Sequence, residues 1–378
     1  MATGRTSTDA AAPRTLTERE LNRALLARQL LLERSDLPID RAVEQVGGLQ
    51  AQYSPSGYVG LWTRLANLER VDLTRALEDR TVIQATLIRT TIHIVSRREY
   101  WLYAEGVRRS RQDWAARVQA LPAERKLASL GDRLRDALRD GPKNVKELDD
   151  LAKGFIGTLG LWVDLVRVPP SGTWERRRAD RLGLADEWIG PSNATEQDGL
   201  EHLVHAYLRA FGPAPWKDIS SWAGVSVADL KRGAERLHLV PYRIAPRVEL
   251  VDLAGATLPD ADTPAPVRFL PHWDANLLVH ARRTGVLPEE YRKLVFSTRT
   301  RSPSACSWST DVAPVRGRSS TDGSSSSHGG SSVPVSVARW SGSGRPSRRS
   351  THSRSAPWLG GLRLGHPRFG RPRFGAGR

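Results

Sequence analysis

The composition changes abruptly at Ser297, and that change limits the packed part of the chain to what precedes it. From Ser297 to Arg378 there are 20 Ser and 14 Arg among 82 residues, with no Ile, Lys or Glu. Periodicity disappears in tracts such as Ser324 to Ser327 and in the "RFG" repeats at Arg368 and Arg373. Such a stretch buries too little apolar surface to offset the entropy of ordering it, so 297–378 is expected to be disordered. A basic tail that tethers DNA and an ordinary extension both fit this composition. Out-of-frame translation of a GC-rich gene fits better, because the break falls inside the well-patterned run "GVLPEEYRKLVFSTRT", and the segment is read as frameshifted.

The break also corrects the reading of charge. The chain carries a formal +16, with 57 basic and 41 acidic residues, but 14 of the basic and only 2 of the acidic ones follow Ser297. The body before it is nearly balanced, so the high pI says little about nucleic acid. A single cysteine, Cys306, excludes an internal disulfide framework and a Cys-based zinc site. His202 and His205 lie three apart without a third ligand, and neither a metal nor a cofactor is expected. No run approaches the roughly 18 apolar residues of a membrane span, and Met1 to Pro13 lacks a signal peptide's apolar stretch, so a cytoplasmic, nucleoid-associated location without membrane contact is expected.

Within the body, helices followed by β-branched pairs recur three times. Thr17-x-x-Glu20 is a capping box opening a helix with Leu21, Leu25 and Leu32 at helical spacing. A shorter helix runs from Pro38 to Val46, where Gly47-Gly48 interrupts it. A third covers Leu73 to Asp79, and "TVIQATLIRTTIHIV" then alternates like a hairpin. In the second set, Ala123 to Asp140 and "NVKELDDLAKGF" are helical. "LWVDLVRV", Pro169-Pro170-Ser171-Gly172 and "TWERRRADR" read as strand, turn and a returning strand bearing Arg176, Arg177 and Arg178, a basic wing. The third set is the clearest: "EQDGLEHLVHAYLRAF", then "WKDISSWA", Gly224-Val225 and "SVADLKRGAERL" have the spacing of helix, glycine turn and second helix, with Ser226 as N-cap and strands "HLVPYRI" and "PRVELVDL" after. The second helix of such a unit enters the major groove, which makes Lys231, Arg232 and Arg236 candidate DNA contacts, although tandem arrays also contain purely structural units.

The fold class read from this pattern is α+β, mainly helical, with tandem winged-helix domains and a truncated β-rich C-terminal part. The expected divisions are 1–14, a disordered N-terminus; 15–110, 111–194 and 195–253, three winged helices; 254–296, the start of the β-rich part; and 297–378, the tail. Trp62, Trp101, Trp114, Trp162 and Trp222 are expected in the core, and packing is the default for Tyr53 and Tyr58.

"GGLQAQYSPSGYVGLWTRL", "LIRTTIHIVS", "LRAFGPAPWKDISSWAGV" and "RFLPHWDANLLVHARR", in that order, resemble the winged-helix family typified by the AlkZ and YcaQ bacterial DNA glycosylases. The resemblance runs from about Leu16 to about Phe296. It implies three winged-helix domains closed by a β-rich part and used around DNA. It also implies a catalytic motif of two glutamines one residue apart, which Gln50-Ala51-Gln52 matches, and an acidic position, which Asp274 matches. In an extended segment residues i and i+2 face one side, so both amides are expected to face one pocket, where their oxygens and NH₂ groups can hold a water. Arg89, Thr91 and His93 of the matching strand are expected to face DNA or that pocket. The expected reaction is hydrolysis of the N-glycosidic bond of an N-alkylated purine, crosslinked purines included, in double-stranded DNA by a monomer. A winged-helix regulator or other DNA-binding protein without chemistry is the alternative, and Gln50-Ala51-Gln52 is what separates the two.

Overall fold

A computed structural model describes residues 12–118, 121–153, 156–244, 248–278, 280, 285–292, 296, 306–309 and 312–316. These all belong to one compact unit, 1–319; a second, 320–378, lies outside the described residues, as does most of the segment expected to be a tail.

The N-terminal stretch contains β1 (Arg14–Thr15), α1 (Glu18–Arg28), α2 (Ile39–Gln45), β2 (Leu49–Gln50), α3 (Pro55–Trp62), α4 (Arg70–Glu78), β3 (Val82–Thr86), β4 (Ile92–Ser96) and α5 (Tyr100–Val118), and is called the first module below. The capping box forms as the sequence predicts: Glu20 N donates to Thr17 Oγ1 at 3.1 Å and Thr17 N to Glu20 Oε2 at 2.7 Å. Gly47 and Gly48 end α2 at φ +74° and +80°, values that suit glycine, and turn the chain into β2. Helix α3 is not evident in the sequence because Pro55, Gly57 and Gly60 are poor helix formers. Close packing explains the glycine: a Cβ at Gly57 would stand 2.7 Å from Ile94 Cδ1.

The second module contains α6 (Glu124–Leu138), β5 (Lys143–Asn144), α7 (Val145–Leu151), α8 (Ile156–Leu159), β6 (Leu165–Arg167), β7 (Arg181–Leu184) and α9 (Ala185–Ile189). The third contains α10 (Glu196–Phe211), α11 (Trp216–Ala223), α12 (Val227–Gly233) and the hairpin β8 (Leu239–Ile244) and β9 (Val248–Leu253). Gly224 makes the helix-turn-helix turn at φ +71°, and Ser226 caps α12 by accepting from Asp229 N. The C-terminal part holds β10 (Arg268–Leu270), β11 (Cys306–Ser309) and β12 (Val312–Arg316), an antiparallel three-stranded sheet.

Four expectations change. The division at 110/111 falls inside α5, which links the first two modules. Their strands form one six-stranded sheet, ordered β2-β4-β3-β6-β7-β5, through the β3–β6 pairing of Gln84 with Arg167 and Ala85 with Val166. Arg14, expected in the disordered end, joins Thr15 in β1, which pairs with β8. Two strands, β11 and β12, lie inside the segment expected to lack structure and extend β10.

The main core is shared by the modules. Ile83, Ala85 and Val95 of the sheet, Tyr103 and Val107 of α5, Leu203, Tyr207 and Phe211 of α10, and Trp222 of α11 belong to one buried cluster. Helices α5 and α10 touch at Gly106 and Gly199, where a Cβ on Gly199 would overlap the Gly106 backbone. Trp222 is core as expected, whereas Trp62 is 47% exposed beneath the Arg34 guanidinium.

Candidate active site

Strand β2 is an edge strand of the six-stranded sheet, paired antiparallel with β4 so that Leu49 opposes Ile94 and Gln50 opposes His93. Leu49 packs into the first module's own core, which turns Gln50 to the other face. Ala51 is fully buried and its N–H donates to Ile92 O at 2.8 Å. Gln50 is half-buried and Gln52 exposed. Both amides have fixed acceptors: Gln50 Oε1 receives Arg89 Nη2 at 3.2 Å, and Gln52 Oε1 receives Ile92 N at 3.1 Å. Each oxygen keeps a second lone pair and each NH₂ its two donors.

Arg89 sits in a single 3₁₀ turn between β3 and β4, not on a strand as expected. Arg89 and Thr90 both have positive φ, 51° and 58°, a region that costs non-glycine residues energy. The turn directs one guanidinium nitrogen to Trp222 O, at the end of α11, and the other to Gln50. Burial lowers its pKa to about 10, which leaves it charged at neutral pH, yet it forms no ion pair among the described residues. Thr91 spends its hydroxyl on Ile88 O at 3.0 Å. His93 is 3% exposed, and Nδ1 donates to Thr91 O at 3.0 Å. Burial, and then the nearby Arg89 charge, push its pKa down to about 3. The ring is therefore neutral, with Nε2 an acceptor that has no hydrogen-bond partner among the described residues.

The basic wing also reaches this place, although not as a strand. Residues 168–180 form a long connection between β6 and β7, organised by Ser171 Oγ, which donates to Arg178 O and accepts from the N–H groups of Asp180 and Arg181. Arg176, Arg177 and Arg178 are exposed on it and form no ion pairs among the described residues. The loop is tied to the glutamine segment: Ser54 Oγ donates to Arg177 O at 2.7 Å, Arg177 Nη1 to Tyr53 Oη at 3.2 Å, and Trp174 N to Tyr58 Oη at 3.1 Å.

From the other side the C-terminal part closes on the same segment. His272 meets the Tyr53 ring edge-on, with centroids 5.9 Å apart. Asp274 is buried and paired with buried Arg64 of the loop after α3, Nη2 to Oδ2 at 2.9 Å. Gln29 and Asn276 complete that network. A cavity with room for about one water molecule lies between, lined by Gln50, Ser56, Arg64, Trp273 and Asp274. Ser56 Oγ is buried there without a partner among the described residues.

Lys231, Arg232 and Arg236 are not part of this assembly. Arg232 pairs with Asp229 and Glu196, and Arg236 with Asp198 and Glu201; Lys231 lies over the Trp216 ring. The expected recognition helix thus spends its two arginines on α12 itself and the first turns of α10. Gly233 of α12 packs against Leu200. Sequence reasoning missed Arg64 and His272. Arg64 carries no signal beyond its place in "LWTRL", whereas "HWD" was in hand through Asp274.

A family model described as DNA glycosylase AlkZ-like matches residues 43–314, from α2 through β11 and into β12. The chain belongs to the AlkZ-like DNA glycosylase family. Streptomyces sahachiroi DNA glycosylase AlkZ is similar in structure, with a TM-score of 0.65 and 17% identity over 78% of this chain and 86% of that one. At that identity the likeness carries the fold, a mainly helical α+β winged-helix architecture. No curated protein sequence matches. Membership of the AlkZ-like family makes this chain a DNA glycosylase, a hydrolase of DNA repair, and decides against the regulator as the alternative. The AlkZ-like match continues past Ser297 to 314, so the point at which the composition changes is not the end of the family's pattern. Among the described residues no helix is long and apolar enough to cross a membrane.

Proposed function

We propose that this protein excises N-alkylated purines, including those held in interstrand crosslinks, from double-stranded DNA, acting as a monomer and using water held by Gln50 and Gln52. The observation that carries the reading is the placement of the two amides on either side of fully buried Ala51, with neutral His93 directly across from Gln50. Alkylation at N7 makes the purine cationic and a good leaving group. The N9–C1′ bond breaks with its electron pair going to the base, water oxygen bonds to C1′, and the proton passes to solvent. Such a reaction needs a well-placed water more than a strong acid. The two amides and the His93 Nε2 lone pair supply acceptors and donors for that water, beside the Arg89 charge that is bonded to Gln50. Asp274, which lines the adjacent cavity, is held by Arg64 and Asn276 and serves to fix the wall.

Arg89 fits the role of a phosphate clamp. A half-buried guanidinium without a carboxylate is available to a DNA phosphate, while the nitrogen bonded to Gln50 Oε1 orients that amide. Exposed Arg176, Arg177 and Arg178 supply further backbone contacts beside the site. Thr91 holds His93 rather than DNA, and Lys231, Arg232 and Arg236 stabilise the third module.

The test is product analysis on a duplex with one 7-methylguanine. Free 7-methylguanine, an abasic site, ¹⁸O from labelled water at C1′ and no protein–DNA adduct on borohydride reduction are the expected products. A borohydride-trapped adduct would replace the water by an amine nucleophile and overturn the reading.

A further inference from the structure

Tyr53 has no part in the water chemistry, yet it is the most exposed aromatic ring beside the glutamines, at 43%. It shares that exposure with Gln52 before it, while Ala51 and Ser54 on either side of the pair are buried. The ring is also held from two sides. Arg177 of the wing loop donates to its hydroxyl at 3.2 Å, and that loop is itself tied down by Ser54 Oγ on Arg177 O. His272 of the C-terminal part stands perpendicular to it, at 89°, and so covers at most one face. Tyr58, by contrast, is buried with its hydroxyl bonded to Thr74 and Trp174. A solvent-exposed aromatic side chain ordinarily keeps rotamer freedom; the contacts of Tyr53 with Arg177 and His272 restrict it, which lowers the entropic cost of stacking a base on it.

We propose that Tyr53 is the stacking platform that receives the alkylated purine and selects for its positive charge, an assignment that rests on the substrate class proposed above. An aromatic face stacks on any base, but it attracts a cationic base more strongly, because the ring quadrupole presents negative charge to it. Burial lowers the pKa of His272, so that ring adds no positive charge beside Tyr53. The Arg177 guanidinium does carry one, but it bonds the hydroxyl at the rim of the Tyr53 ring, and its charge weakens the preference without covering the ring face. Gln52 immediately precedes Tyr53, which puts the stacked base within one residue of the amide that holds water. The ordinary purines of DNA are neutral and gain only the stacking part. Tyr53 therefore contributes discrimination between a charged lesion and an undamaged base before any bond is broken.

The experiment measures binding without turnover, so it is independent of whether the glutamines hold the water. Duplexes carry 7-methylguanine on a 2′-fluorinated sugar that resists cleavage, or uncharged 7-methyl-7-deazaguanine, or guanine. Fluorescence anisotropy gives the affinity of the wild-type chain, Tyr53→Phe and Tyr53→Leu for each. The charged lesion is expected to bind wild type and Tyr53→Phe more tightly than the uncharged isostere, by on the order of tenfold. Tyr53→Leu is expected to lose that preference while keeping the affinity for undamaged duplex, which shows that it is folded. Equal binding of charged and uncharged lesions by wild type, or an undiminished preference in Tyr53→Leu, would overturn the proposal. Failure of the glutamine mechanism would appear separately, in the excision products.

Discussion

Replacing Asp274 by alanine tests whether the C-terminal part is welded to the first module. Arg64 is 1% exposed and Asp274 5%. Removing the carboxylate leaves a buried guanidinium whose other bonds, among the described residues, go to neutral oxygens, Gly60 O at 2.9 Å and Gln29 Oε1 at 3.2 Å. Breaking a buried pair from one side costs ~3–5 kcal/mol, and the two surviving bonds place the expectation at the lower end of that range. For a folded unit of this size each kcal/mol lowers Tm by roughly 2–4 °C, so a fall of about 6–12 °C is expected. Thermal unfolding followed by circular dichroism reads it directly. Arg64→Met combined with Asp274→Leu removes both charges and is expected to recover most of the loss, because no uncompensated charge remains. A fall of less than about 2 °C for Asp274→Ala would refute the reasoning, since the pair would then contribute no more than a surface ion pair.

Three further outcomes follow from the geometry. Gly199→Ala forces α5 and α10 apart at their contact and is expected to cost more than about 3 kcal/mol, seen as a lower denaturant midpoint with unchanged m; a neutral effect would mean the helices do not touch there. The pKa of His93 falls from 6.5 to about 3 on folding, so the unfolded chain binds the extra proton, and the stability this group contributes is complete above about pH 6.5. Below that pH it declines by about 1.4 kcal/mol per pH unit, and His93→Gln is expected to flatten the dependence of Tm on pH by that share. Arg177→Gln with Arg178→Gln is expected to reduce the slope of log K for DNA against log salt by about 2, whereas Arg232→Gln with Arg236→Gln, whose guanidiniums are already paired, is expected to lower stability and leave the slope alone.

The local elements were largely legible in the sequence, and the reasons are local. The Thr17–Glu20 capping box, the Gly224 turn and the Ser226 cap each satisfy backbone groups within a few residues of themselves, so a short window contains the whole cause. Helix α3 was hidden because Gly57 and Gly60 serve packing against β4, β2 and the C-terminal part, not helix propensity. The continuous sheet was hidden for a similar reason, since the register of Gln84 with Arg167 joins strands more than 80 residues apart. At the site, the strand that pairs Gln50 with His93 ends at Gln50, so the alternation of an extended strand reaches only the first of the two glutamines. What periodicity did not reveal is that a strained turn aims Arg89 at Gln50, that the wing arginines lie on a loop against Tyr53, and that Arg64 and Asp274 meet across 210 residues. Lys231, Arg232 and Arg236 were assigned to DNA by the helix-turn-helix pattern. Their fate depended on Glu196, Asp198 and Glu201, which lie on a different helix.

The central claim is that Gln50 and Gln52 hold the attacking water, and single-turnover excision of 7-methylguanine by a Gln50→Ala, Gln52→Ala chain tests it most directly. The account predicts a rate lower by about 10²–10⁴-fold, with salt-sensitive DNA binding and Tm close to those of the wild type. A rate within a few fold of wild type would contradict it and would move the chemistry to another group in the site.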